Sequence, residues 1–137
     1  MNTGLIMSFD FGTKKIGVAI GQRVTGTATP LSIIRVENGV PDWNSLENLI
    51  AQWQPEQIVV GLPLNMDDSQ SKMSKQALWF SSELENRFGL PTSNVDERLS
   101  TFEARQISLK KRNEGERVQL DDIVAALILE SWLRDKD

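Results

Sequence analysis

The sequence predicts an α/β fold, a mixed five-stranded sheet with helices on both faces. Residues 4–9 and 15–21 are apolar strands joined by a tight turn at Gly12-Thr13, which reads as an antiparallel hairpin. Gln57 to Gly61 is a short, continuous apolar run, the pattern of a buried parallel strand. Segments of helical period lie on either side of that run, so it joins the sheet through crossover connections that cover both faces.

Each element has its own signal. The first strand is apolar except for a lone carboxylate, Asp10, near its end. A third strand lies within residues 28–36, interrupted early by Pro30. Asp42 caps a helix that runs through Gln54, with Trp43, Leu46, Leu49, Ile50 and Trp53 on one face, and Pro55 ends it. After the buried strand, Leu62-Pro63-Leu64-Asn65 leads through a polar stretch into a long helix to about Phe88. Its apolar stripe is Met73, Ala77, Phe80, Leu84 and Phe88, and Gly89 and Pro91 stop it. Residues 93–96 form a short strand in which only Val95 is a good strand former. Ser100-Thr101-Phe102-Glu103 is a capping box that opens a helix to about Leu109. Residues 110–117 are a charged loop. The last helix, Leu120 to Leu133, is apolar nearly all round at residues 123–129 and is therefore buried.

Length and composition narrow the chemistry. A chain of 137 residues buries a sizeable core without staples, and one domain spanning residues 1–137 is expected. It has no Cys, His or Tyr. That removes thiolate nucleophiles, Ser–His triads and zinc sites of the usual kind, and leaves carboxylates, Lys, Arg, hydroxyls and bound ions. The N-terminus has no signal-peptide pattern and no run approaches a membrane span, so a soluble cytoplasmic protein without membrane contact is expected. The net charge of −4 counts against stable nucleic-acid binding through counterion release. It leaves room for an enzyme that meets phosphate through divalent cations.

Three acids stand out by position: Asp10 at the end of the first strand, Glu97 just after the last strand, and Asp121 or Asp122 at the start of the final helix. Burying a strand-end charge costs on the order of several kcal/mol unless it is paired. In sheets of this kind the site lies beyond the carboxyl ends of the parallel strands. Carboxylates converging there would repel one another unless ions such as Mg²⁺ or Mn²⁺ held them. Paired ions support phosphodiester hydrolysis without His or Cys. The plainer alternatives are an Asx-turn at Asp10, a helix-dipole charge at Glu97, and an ordinary first-turn acid at 121 or 122. Lys14 and Lys15 are solvated turn residues unless they reach substrate phosphate. The basic run Lys110-Lys111-Arg112 is either a solvated loop or a phosphate-steering one.

The stretch Asp10-Phe11-Gly12-Thr13-Lys14 also resembles the first phosphate loop of the actin, Hsp70 and sugar-kinase ATPases. Those proteins need a second lobe that a chain of this length does not supply. A ribonuclease H-like nuclease needs only one such domain. Residues 10–21, Gly61-Leu62-Pro63-Leu64-Asn65, Asp96-Glu97-Arg98-Leu99-Ser100-Thr101 and residues 120–132 together resemble the YqgF/RuvX family. These are ribonuclease H-like proteins related to the RuvC resolvases and described as pre-16S rRNA nucleases. The resemblance implies trimming of the 5′ end of 16S rRNA on ribosomal precursor particles, with Mg²⁺ or Mn²⁺ held by Asp10, Glu97 and Asp121. It puts Arg98 and Ser100 in the motif of Glu97, orienting the carboxylate or touching phosphate, and Asn65 facing the same cleft. Lys14 is the candidate substrate contact of the first turn, and a monomer or homodimer is expected. A resolvase acting on branched DNA, or a non-catalytic module for transcription or ribosome assembly, are the alternatives.

Overall fold

The computed structural model describes residues 4–62, 72–96 and 120–135. Six strands form one sheet in the order β4-β3-β2-β1-β5-β6. The N-terminal hairpin supplies β1 (Leu5–Asp10) and β2 (Lys15–Gln22), paired antiparallel from Leu5↔Gln22 to Asp10↔Gly17. β3 (Thr27–Glu37) lies antiparallel beside β2. Pro30, which has no N–H to give, falls next to a register irregularity between Val18 and Ala19, where the ladder already bends.

The sheet has one strand more than the sequence reading expected. Asn38 and Gly39 adopt φ of 52° and 78°, the left-handed pair required by a two-residue hairpin turn. The chain therefore doubles back as β4 (Val40–Pro41), pairing Val36↔Pro41 and Glu37↔Val40. An Asn-Gly dipeptide after a β-rich run carries this signal in the sequence.

Helix α1 (Trp43–Trp53) begins where Asp42 caps it. The Ser45 N–H donates to Asp42 Oδ1 at 3.3 Å and the Ser45 hydroxyl to Oδ2 at 2.8 Å. β5 (Gln57–Leu62) and β6 (Thr92–Asp96) extend the sheet in parallel with β1. Between them runs α2 (Lys72–Phe88), closed by Gly89 at φ 66° with its N–H bonded to the Glu85 carbonyl at 2.9 Å. The final helix is α3 (Leu120–Asp135). The helix expected over residues 100–109 and the charged loop at 110–117 lie outside the described residues.

Strand alternation divides the core in two. On one face Met7, Phe9, Ile16, Val18, Ile58 and Val60 pack against Leu46 of α1 and Ala77, Phe80 and Leu84 of α2. On the other, Ile6 and Val59 meet Val124, Ile128, Leu129, Trp132 and Leu133 of α3. Each large side chain fully buried here contributes about 1.5–3 kcal/mol. Helices thus cover both faces, as the mixed pattern of the sequence requires.

Candidate active site at the carboxyl edge of the sheet

The three parallel strands end along one edge, at Asp10, Leu62 and Asp96. β2 starts at that edge and β3 ends there. Directly paired residues share a face, so Asp10, Gly17, Gly61 and Val95 form one row across four strands. Both lateral neighbours of Asp10 are therefore glycine. A side chain at either position would sit roughly 5 Å from the aspartate Cβ; both glycines are buried, so only backbone flanks the carboxylate within the sheet. Phe9 and Phe11 on either side of Asp10 both pack on Phe80, with ring centroids 5.6 and 5.2 Å away. Asp10 is thus anchored from the opposite face of the sheet.

The row containing Asp10 belongs to the face that α3 covers. Small residues let the helix come close. The Ser8 hydroxyl, fully buried, donates to the Ala125 carbonyl at 2.6 Å. A methyl group on Gly21 would stand 2.8 Å from Leu129 Cδ2 and 2.6 Å from the Thr27 carbonyl oxygen. Gly21 pairs with Ile6. Leu129 therefore lies level with Ile6, and Ala125 level with Ser8. Four helical residues rise about 6 Å, and two strand residues advance about 6.6 Å. The next step along both elements brings position 121 level with Asp10. Ala125 and Ala126 together pack against Ala19, with Ala28 beside them.

At Gly12 an added Cβ would lie 2.5 Å from the Lys15 carbonyl oxygen, so only glycine closes this turn without a backbone shift. Thr13, Lys14 and Lys15 after it are exposed, and the Lys14 carbonyl accepts the Val36 N–H at 2.9 Å. Lys15 pairs directly with Arg35 across β2 and β3. Ile16, Ile34 and Val36 are buried on the α2 face, so Lys15 and Arg35 belong to the face of Asp10. The Arg35 side chain is 83% exposed, and its ion pair with Glu37 is long, at 4.0 Å. Two like charges placed directly opposite destabilise a strand pair unless an anion lies between them. The sequence reading missed this pair because the two cations are twenty residues apart and only the strand register brings them together.

Of the residues expected from the sequence, Asp10 lies at the edge, Lys14 in the adjoining turn, and position 121 in the first turn of α3. Asn65, Glu97, Arg98 and Ser100 lie outside the described residues. Among the described residues no three acidic side chains gather into a metal-binding group, and no helix is long and apolar enough to cross a membrane.

A family model described as RuvX, Holliday junction resolvase, matches residues 4–135. A protein of Azotobacter vinelandii, provisionally named a pre-16S rRNA nuclease, is 47% identical over 134 residues, spanning 96% of this chain and 94% of its own. One of Pseudomonas paraeruginosa with the same provisional name is 50% identical over 133 residues, spanning 96% and 92%. The structure of T. thermophilus RuvC with a Holliday junction substrate matches with a TM-score of 0.59 at 13% identity, over 96% of this chain and 94% of that one. That likeness is one of fold, and the ribonuclease H-like architecture expected from the sequence is the one the chain adopts.

Proposed function

The chain belongs to the RuvX family, and we propose that it is a metal-dependent nuclease that hydrolyses a phosphodiester near the 5′ end of 16S rRNA in ribosomal precursor particles. The observation that carries this reading is Asp10, a strand-end carboxylate flanked by two glycines at the edge where all three parallel strands stop.

Asp10, Glu97 and Asp121 are the proposed ligands of Mg²⁺ or Mn²⁺. Their hard oxygen donors fit such ions. A divalent cation held there supplies charge stabilisation for the scissile phosphate and a more acidic water. Helical spacing favours Asp121 over Asp122, since 121 is the position one turn before Ala125 and level with Asp10.

The remaining residues hold the substrate. Lys15 and Arg35 bind a phosphate next to the scissile one, which relieves their mutual repulsion. Lys14, Asn65, Arg98 and Ser100 complete the contacts around it. Ser8 fixes the height of α3 over β1 and so the separation of the two acids that these elements carry.

The test is cleavage of a 16S precursor by the Asp10→Asn protein with Mg²⁺ or Mn²⁺. Cleavage is expected to vanish while thermal unfolding stays near that of the parent, and cleavage at the parental rate would overturn the assignment. The family's description favours a second reading, branched DNA as substrate. Faster cutting of a four-way junction than of the rRNA precursor would establish it instead.

A further inference from the structure

Behind the Gly12 turn, on the face opposite α3, lies a groove of about 460 Å³. Phe11 and Thr13 border it on one side, and Lys75, Gln76 and Trp79 of α2 on the other. The four tryptophans have different surroundings. Trp132, on α3, is buried against the sheet, Trp43 is stacked between Phe80 and the Arg87 guanidinium, and Trp53, at the end of α1, packs against the core. Trp79 is 45% exposed and lines the groove. Lys75 precedes it by one helical turn on the same side of α2, and is also exposed.

We propose that this groove receives an unpaired nucleobase of the RNA substrate next to the bond being cut. Trp79 is the stacking face, Lys75 meets the neighbouring phosphate, and Gln76 and Thr13 meet the polar edge of the base. Charge and continuity argue for this occupant. Among the described residues no carboxylate borders the groove, whereas Lys75 does and Lys14 stands exposed in the same turn. Phe11, at its wall, directly follows Asp10, so a strand crossing the sheet edge reaches both places. An exposed indole beside a lysine is the pairing by which single strands are held without sequence reading. The volume falls in the range of small-ligand pockets. The nature of the substrate rests on the nuclease reading above, but the measurement does not.

The test is the affinity of a short fluorescein-labelled oligoadenylate, and of a strand of equal length with abasic sites. Both are read by anisotropy in the Asp10→Asn protein with a chelator present, so that cutting does not intrude. Trp79→Ala should weaken oligoadenylate binding by about tenfold, within the span that one lost base stack produces. Trp79→Phe should keep most of the affinity, and the abasic strand should bind the parent and Trp79→Ala alike. Unchanged oligoadenylate affinity in Trp79→Ala would overturn the proposal, as would an equal loss for both strands. A concentration-dependent dimer that disappears in Trp79→Ala, with RNA affinity untouched, would assign the groove to a second copy of the chain and overturn it too. If the parent protein cut no RNA with Mg²⁺ or Mn²⁺ while the base-dependent binding held, the nuclease assignment would fail and the groove would stand.

Discussion

Ser8 ties β1 to the final helix, and changing it tests whether that tie sets the proposed site. Its hydroxyl donates to the Ala125 carbonyl at 2.6 Å in a fully buried setting. Ser8→Ala removes the donor but leaves no orphaned acceptor, because the Ala125 carbonyl also accepts from the helical amide four residues on. The loss is then the net value of one buried hydrogen bond, about 1 kcal/mol. For a domain of this length that lowers Tm by roughly 3–4 °C. Ser8→Val keeps no donor and adds bulk at the closest approach of α3 to β1, so overpacking adds about 1–3 kcal/mol and lifts the helix. The effect on cleavage should exceed the effect on stability, since raising α3 moves position 121 away from Asp10. Thermal unfolding by circular dichroism and cleavage rates in Mg²⁺ separate the two. An unchanged Tm in Ser8→Ala would show that the bond contributes nothing. Parental cleavage by a folded Ser8→Val protein would refute the claim that α3 brings an acid to the site.

The remaining predictions follow the same geometry. Asp121→Asn should sharply weaken the metal dependence of cleavage while Asp122→Asn leaves it nearly intact; the reverse order would overturn the helical-row argument. Gly21→Ala puts a methyl against the Thr27 backbone and Leu129; it should cost about 1–3 kcal/mol, read as a lowered denaturant midpoint. Replacing both Lys15 and Arg35 by Ala should reduce the slope of log affinity against log salt by about 0.7 per cation for single-stranded RNA. An unaltered slope would remove the pair from the substrate path.

Most of the fold was legible because its signals are local. The Asp42 cap, the apolar run at Gln57 to Gly61 and the Gly89 stop each depend on a few adjacent residues, and each marks an element where it was expected. β4 was overlooked, although Asn38-Gly39 announces its turn, because two residues carry no periodicity of their own. At the site, Asp10 was legible as a charge that an apolar strand does not otherwise tolerate. The glycines beside it were not, since Gly17 and Gly61 become neighbours of Asp10 only through strand pairing. The same holds for Lys15 with Arg35. Trp79 could not be told from the other tryptophans, because the apolar stripe of α2 and its exposed flank are separated by packing rather than by composition.

Net charge pointed away from nucleic acid, and the position of the charges reverses that inference. Among the described residues the ion pairs join Arg23 to Glu56, Arg35 to Glu37 and Arg87 to Glu83. Lys14, Lys15 and Lys75 take part in none of them. Arg23 lies just beyond the end of β2 farthest from Asp10, its guanidinium 5.4 Å from the centre of the Trp132 ring, and works as a brace. Lys14, Lys15 and Arg35, the last paired with Glu37, stand at the edge where Asp10 sits, and Lys75 borders the groove behind it. At physiological salt a charge is felt over about 8 Å, so an approaching phosphate responds to these cations more than to acids across the domain. An acidic protein can therefore present a locally basic rim around an acidic floor. Such a rim draws the polyanion in, and the floor repels it unless divalent cations arrive as well. That couples substrate binding to metal binding: RNA affinity should rise with Mg²⁺ in the parent and stay flat in Asp10→Asn, whereas a purely electrostatic surface would lose affinity with added Mg²⁺ in both.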